Sequence, residues 1–418
     1  MISSFDTKIP VLPQGWEFKS LSDLFDFSGG YSATRSQLSN KGYCYLHYGD
    51  IHTTDKSFIN VSEDFEDIPK LNIDLENINP NYLLKDGDVV FVDASEDYEG
   101  VTKHLVISNK NNIPFISGLH TIVAKKKTNQ LQKDYLRYCF QTEFVRKQFL
   151  FYAAGAKVSG ISKSNIRKIV LLFPNCVSEQ ERIASVLIDI DNLLNNFNKL
   201  ILKKKKIKQG ITYQLLTSQI RLKKYTDDWV IKKVEEIGQV GRGRVISNIE
   251  ISKSLNPKYP VFSSQTSNKG IMGYIDSYDF DGDYVTWTTD GANAGTTFAR
   301  TGRFNCTNVC GTIKLYDSNH VFIAELLNII NPQHVSIHLG NPKLMNDIMK
   351  KIEIKIPSLR NEQNDIANII LDLDKELDIL ETKRKKILNL KKSVMQEILT
   401  GKTRLIKTEI NNARKIKT

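Results

Sequence analysis

Two stretches of this chain, Ser178-Glu179-Gln180-Glu181-Arg182-Ile183-Ala184 and Asn361-Glu362-Gln363-Asn364-Asp365-Ile366-Ala367, are versions of one another, 183 positions apart. The match extends in both directions. Upstream, Ile169 and Pro174 correspond to Ile352 and Pro357. Downstream, Asp189, Asp191 and Leu194 correspond to Asp372, Asp374 and Leu377, and Leu216, Thr217, Arg221 and Leu222 to Leu399, Thr400, Arg404 and Leu405. The register holds without a gap for more than fifty residues, so the chain contains an internal repeat. A fainter echo lies earlier in each half: Trp16, Leu21, Asp23 and Leu24 resemble Trp229, Val234, Glu236 and Ile237 at an offset of 213. The two offsets differ by 30, so the halves share a beginning and an end but not a middle. The first middle runs over roughly 25–168 and the second over roughly 238–350.

The repeated ends read as long helices. Ile183, Leu187, Ile190, Leu194 and Phe197 form an apolar stripe in the first, continued by Ile201, Ile207, Ile211 and Leu215. Ile366, Ile370, Leu373, Leu377 and Leu380 form the second, continued by Ile387, Leu390, Val394 and Ile398. A stripe recurring about every 3.5 residues is the seam of a coiled coil. Pro174 and Pro357 stand just ahead, where no helix can yet be running. Ser178 and Asn361 suit N-cap positions, with Glu181 completing a capping box in the first copy, and Gly401 suits a helix end. Helices of about forty residues span roughly 60 Å, too long a seam to face water alone. The other copy in the same chain is the natural partner and would make the pair antiparallel. Packing on each helix's own domain, or pairing between chains, is the alternative.

The middles read as β-rich. Asp88–Val92, Leu105–Ser108, Thr121–Lys125, Tyr284–Thr288 and Gly311–Leu315 are short β-branched runs broken by Gly, Asn and Asp. Gln132–Phe151 and Ala324–Ile330 read as helices. The expected fold is α+β, with two domains of irregular sheet separated by an intrachain antiparallel coiled coil.

Composition narrows the class. The 418 residues carry 58 Lys and Arg against 47 Asp and Glu, a net charge of +11 that favours an anionic partner such as nucleic acid or else solubilises a Lys-rich surface. Five scattered cysteines suggest a reducing compartment without a disulfide framework, and no apolar run is long enough to span a bilayer, so a cytoplasmic location is expected.

This arrangement resembles the specificity subunits of Type I restriction–modification systems over nearly the whole chain. Pro13-Gln14-Gly15-Trp16 looks like the family's domain opening, and the two Glu-Gln stretches like the openings of its spacer helices. Asp290-Gly291 with Ala294-Gly295, Gly340-Asn341-Pro342-Lys343-Leu344, and Gly155–Ile161 with Ile166–Pro174 look like parts of its target-recognition domains. The His338–Met345 segment does not match Gly155–Ile161, which suggests recognition domains of different subtypes. The resemblance divides the chain into a first recognition domain (1–175), a first spacer helix (176–222), a second recognition domain (223–357), a second spacer helix (358–405) and a basic tail (406–418). It implies that each domain reads half of a split site in double-stranded DNA. It also implies two modification subunits that bind S-adenosylmethionine and methylate adenine, with ATP-dependent restriction subunits where the system has them. No cofactor is expected on this chain.

Catalytic signatures are missing. Asn79-Pro80-Asn81-Tyr82 lacks the second proline of an adenine-methyltransferase tetrad. Phe27-Ser28-Gly29-Gly30 and Gly241-Arg242-Gly243 lack the strand–helix context of a cofactor turn. Cys306 and Cys310, with His320, His334 and His338, do not make a metal finger, and Asp93, Glu96, Asp97 and Glu99 read as a solvated acidic loop. The rival readings are an autonomous methylation or restriction enzyme, disfavoured by those absences, and a coiled-coil scaffold that binds only protein.

Candidate DNA-contacting residues are polar or basic and lie near glycine, where backbone can approach the duplex closely. In the first domain they are Tyr31, Arg35, Gln37, Lys103, His104, Lys157, Ser159 and Lys163. In the second they are Arg242, Arg244, Ser264, Gln265, Asn268, Lys269, Thr289, Asn293, Arg300 and Arg303. The Lys203–Lys208 run would either touch phosphates between the half-sites or solvate the helix.

Overall fold

The computed structural model describes residues 11–54, 56–95, 100, 103–153, 159–338 and 340–406. It contains two compact units. The first joins Met1–Asn196 to Arg384–Thr418 and the second is Phe197–Lys383, so each long helix is shared between the units.

In the first unit, the opening strand Trp16–Ser20 pairs antiparallel with the closing strand Val170–Pro174, Trp16 lying opposite Pro174. Between them lies a five-stranded sheet in the order Phe25–Ser28, Thr121–Lys126, Val89–Val92, His104–Ser108, Phe58–Asn60. A four-stranded sheet of Phe115–Ser117, Tyr43–Leu46, Lys70–Leu71 and Leu38–Ser39 accompanies it. The central strands are buried on both faces, and their side chains alternate between two cores as strand geometry requires. Val89, Phe91, Val106, Ile122 and Ala124 join one apolar cluster; Val90, Val92, Leu105, Ile107 and Val123 join another. The helix expected over Gln132–Phe151 is two, Lys133–Cys139 and Glu143–Tyr152. Thr142 breaks it by capping the second helix, its hydroxyl accepting from the Val145 amide.

The second unit repeats the frame. Trp229–Lys233 pairs with Glu353–Pro357, Trp229 opposite Pro357. Its main sheet is antiparallel in the order Gly238–Arg242, Cys310–Leu315, Tyr284–Thr288, Thr297–Arg300. The helix His320–Ile330 packs on it, with Phe322, Ile323, Leu326 and Leu327 against Val285, Trp287 and Ile313. It starts a turn earlier than the sequence suggests because Asn319 caps it, accepting from the Val321 and Phe322 amides. Gly311 is required by the packing, since a Cβ there would lie 2.2 Å from Cζ2 of Trp287.

The long helices run over Val177–Leu216 and Arg360–Ile398. Within the first unit, Ile183, Ala184 and Leu187 share a core with Met395, Ile398 and Leu399 of the second helix's end. Within the second unit, Leu215 and Leu216 share a core with Ile366, Ala367 and Ile370. Ion pairs fix the direction. Going forward from Glu179 to Asp191, the partners go backward from Arg404 to Lys391; going forward from Lys208 to Arg221, they go backward from Asp374 to Glu362. The pairing in each unit is intrachain and antiparallel.

The expected seam needs correction between its ends. Ile183, Leu187, Ile366, Ile370 and Leu377 are buried, while Ile190, Leu194, Phe197, Leu373 and Leu380 are half-buried. Ile207 and Leu390 are exposed. A stripe continuing from Ile201 reaches Lys204 and Lys208, and its counterpart reaches Lys391. Lysine stems lie along the seam there, and their ammonium groups reach Glu376, Asp374 and Asp191. The helices also begin before Ser178 and Asn361, so the expected capping box does not form; Ser178 instead accepts from Arg182.

Candidate nucleic-acid interface

The repeated Glu-Gln pair builds the frame that presents the loops. Glu179 and Glu362 are almost completely buried, at 0% and 1% exposure. Each carboxylate takes a two-pronged grip from an arginine a few residues beyond the end of the other long helix. Arg404 donates from Nε and Nη2 at 2.7 and 2.8 Å to Glu179, and Arg221 at 3.1 and 2.8 Å to Glu362. These carboxylates hold both guanidinium pKa values above their ordinary range. Gln180 accepts from the Gln132 amide and donates to the Pro174 carbonyl, and Gln363 makes the same bonds to Asn319 and Pro357. The repeated residues therefore tie helix start, closing strand and domain helix together in each unit.

In the first unit this frame carries a run of aromatic, histidine and lysine contacts. The Tyr45 hydroxyl donates to the Tyr31 carbonyl at 2.8 Å and accepts from the Leu119 amide at 3.0 Å. Gly30 passes so close to the Gly118 carbonyl that a Cβ would lie 1.8 Å from it. Two residues on, His120 holds φ 57°, its ring edge-on to Tyr48 at 5.4 Å and Nδ1 3.3 Å from Asp93. Tyr48 also meets the rings of His47 and His52, and burial lowers the His47 pKa. Lys103 donates to the His52 carbonyl, and Lys163, exposed, lies against Gly29. Tyr31, Lys103 and Lys163 thus join one run of contacts.

Arg35 is exposed but paired with Asp50 at 2.6 Å, and Gln37 caps the Arg35–Gln37 turn by accepting from the Thr34 amide. His104 is a correction. Strand parity turns it inward with Val106, and it packs edge-on to Phe140 at 5.0 Å, so it is not available to read bases. Lys157 lies outside the described residues, as do Glu96, Asp97 and Glu99; Ser159 is described only as strand backbone paired to Ser95. No spacing pattern in the sequence marks the histidine–tyrosine cluster; the one signal is that four of the seven histidines fall in this domain.

In the second unit, one end of the main sheet gathers loops from four segments. Arg242 lies opposite Gly311, and Thr288 opposite Cys310. Gly243 and Arg244 donate backbone bonds to Cys310 and Cys306, and Asp290 bridges to Lys343. Arg242, Asn293, Asn308 and Lys343 are exposed there. Arg244 is held by Glu250 and Asp279, which raise its pKa, and Arg303 by Asp281 at 3.1 Å. Two candidates are corrected here. Thr289 is 1% exposed and donates to the Val309 carbonyl, so it closes the loop from within. Arg300 is buried against the Phe262 ring, 3.6 Å from its centroid, and burial pushes its pKa down to about 10. It donates to Thr286 Oγ1 at 3.0 Å and to the Lys269 carbonyl at 2.8 Å, which makes it an internal clip. Ser264 and Gln265 are half-buried, Gln265 donating to the Ile271 carbonyl, whereas Asn268 and Lys269 are exposed.

Asn79 caps a short turn by accepting from the Asn81 amide, and among the described residues no group of three or more His, Cys, Asp or Glu can hold a metal. No helix of the described residues is long and apolar enough to cross a membrane.

Two unlike α+β domains on a duplicated helical frame, each presenting basic and amide-bearing loops, define a nucleic-acid-reading protein of repeated architecture. The family profile described as the Type I restriction modification DNA specificity domain matches residues 13–209 and again 226–389, and the chain belongs to that family. A putative type I specificity subunit (N-terminal part) of Mycoplasma pneumoniae is 43% identical over 141 residues, 33% of this chain and 74% of that one. A putative type I restriction enzyme specificity subunit of Methanocaldococcus jannaschii is 24% identical over 443 aligned positions, covering 96% of each chain. The crystal structure of a type I S subunit from M. genitalium shares the fold, with TM-score 0.56, 14% identity, and coverage of 94% of this chain and 99% of that one. The protein is a type I specificity subunit with two DNA specificity domains, a non-catalytic component that binds DNA and assembles with other subunits of its system.

Proposed function

We propose that each recognition domain reads one half of a split, asymmetric DNA site, and that the helix pair sets the distance between halves and docks two modification subunits. The observation that carries this reading is the duplicated frame with unlike middles: the same strand, Glu-Gln pair and arginine grip recur, while the loops they present do not. Identical readers would serve a palindrome; unlike readers serve an asymmetric site. S-adenosylmethionine belongs on the modification subunits, and restriction subunits add ATP-driven cleavage where the system has them. Host DNA as substrate puts the complex in the cytoplasm.

The test is reconstitution. The purified chain should methylate no DNA, and adding modification subunits should produce methylation at one bipartite site. Exchanging residues 1–174 for those of another family member should change one half-site and leave the other. A change in both halves, or methylation by the chain alone, overturns the proposal.

A further inference from the structure

The loop Ser263–Gly270 is built at a conformational cost that its own packing does not explain. Asn268 (φ 49°), Lys269 (φ 52°) and Gly270 (φ 85°) are three consecutive left-handed residues. Only the third is glycine; asparagine tolerates the left-handed region, but Lys269 holds there a backbone that side-chain-bearing L-residues rarely adopt. The loop is nevertheless held in one arrangement. Ser263 donates its amide to the Gly270 carbonyl at 3.0 Å, Gln265 donates to Ile271, and Arg300 donates to Lys269. A Cβ at Gly270 would lie 3.1 Å from the Gln265 carbonyl and 3.2 Å from Arg300 Nη2, so the loop is closed tightly over the guanidinium. Among the described residues no carboxylate forms an ion pair with Arg300; its bonds go to a hydroxyl and a carbonyl between aromatic rings. A buried cation placed this way serves geometry at the expense of stability.

What all this fixes is an exposed tip, Ser267-Asn268-Lys269, whose side chains make no hydrogen bond or ion pair to the described residues. A preorganised polar tip with no internal partner is complementary to something outside the chain. An amide beside an ammonium matches a base edge beside a phosphate. We propose that this loop is a base-reading element of the second recognition domain. Asn268 grips an adenine edge in the major groove, Lys269 holds the neighbouring phosphate, and Arg300 acts as the positioning residue that sets the tip. This rests on the reading that the second domain reads one half-site.

The experiment uses the full chain assembled with its modification subunits, acting on DNA in which the second half-site is randomised, with methylated products sequenced. Asn268→Ala should lose about ten-fold or more of discrimination at one position of that half-site and none at the other half. Asn268→Gly, which relieves the backbone while removing the amide, should lose the same discrimination without loss of folding. Lys269→Ala should weaken methylation evenly across sequences and lower the salt slope by about one. Arg300→Lys, which keeps the charge but not the two-bond geometry, should copy the Asn268 profile. Unchanged discrimination in both Asn268 variants, or a change confined to the first half-site, overturns the proposal. Failure of the wild-type complex to select any second half-site overturns instead the reading of the domain itself.

Discussion

At the scale of single residues, the repeat allows one position to be judged against its twin. Gly401 and Ser218 occupy equivalent places after the two long helices, and both have left-handed backbone, φ 70° and 56°. Gly401 has a second reason to be glycine, because a Cβ would lie 2.5 Å from Pro13 Cγ. At Ser218 only the backbone conformation objects to a side chain. Ser218→Gly should therefore raise stability by about 0.5 kcal/mol, the relief of strain outweighing the entropy lost by glycine. Gly401→Ala should destabilise. Urea unfolding of both variants checks the pair, and a loss of stability in Ser218→Gly would contradict the strain argument. Single residues were also where sequence reading failed most. His104, Thr289 and Arg300 carry polar groups and stand near glycine, so they look like DNA contacts. Strand parity buries the first, a loop-closing hydrogen bond the second, and an aromatic sandwich the third. None of these is visible until the strands are paired.

At the scale of elements, much was legible. The strands Tyr284–Thr288 and Cys310–Leu315, the two long helices and their intrachain antiparallel pairing all follow from patterns in the sequence. The role of the repeated Glu-Gln was not. Both residues look like exposed first-turn polar residues, and their burial depends on an arginine more than two hundred positions away for Glu179. Arg404→Ala would leave a fully buried carboxylate without its counter-charge, and should cost about 3 kcal/mol in the first unit. Adding Glu179→Leu to that variant should recover part of the loss. Thermal unfolding of the single and double variants decides it, and equal destabilisation by both would mean that the pair contributes packing alone. The seam between the helix ends departs from its sequence pattern for a similar reason. The sequence pattern predicts an apolar stripe through Ile207 and Leu390, where the structure uses lysine stems and carboxylates instead.

At the scale of the whole molecule, the duplication was the most legible feature, and the pairing of unlike domains with like frames followed from its two offsets. The loops could not be ranked in advance, since exposure, ion pairing and backbone strain decide which side chains are free to meet DNA. Arg244 and Arg303 are occupied by carboxylates, while Asn268 and Lys269 are not. If the helices set spacing, inserting four residues between Gln209 and Leu216 should change the gap between half-sites while leaving both half-site sequences intact. Methylated-product sequencing reads both together, and an altered half-site sequence with constant spacing would refute it.

The crossed arginine grips also bear on how the protein is made. The second unit is a continuous piece, residues 197–383, and every group that seals it has been synthesised once those residues leave the ribosome. The first unit needs Met395, Leu399 and Arg404, which are translated more than two hundred residues after Ile183, Leu187 and Glu179, the groups they cover. During synthesis, the domain that emerges first is therefore the one that closes last. Its apolar helix face must wait exposed while the later domain folds, which makes the nascent chain a client for chaperones over that interval. A premature stop near residue 383 would accordingly harm the domain farthest from it in sequence.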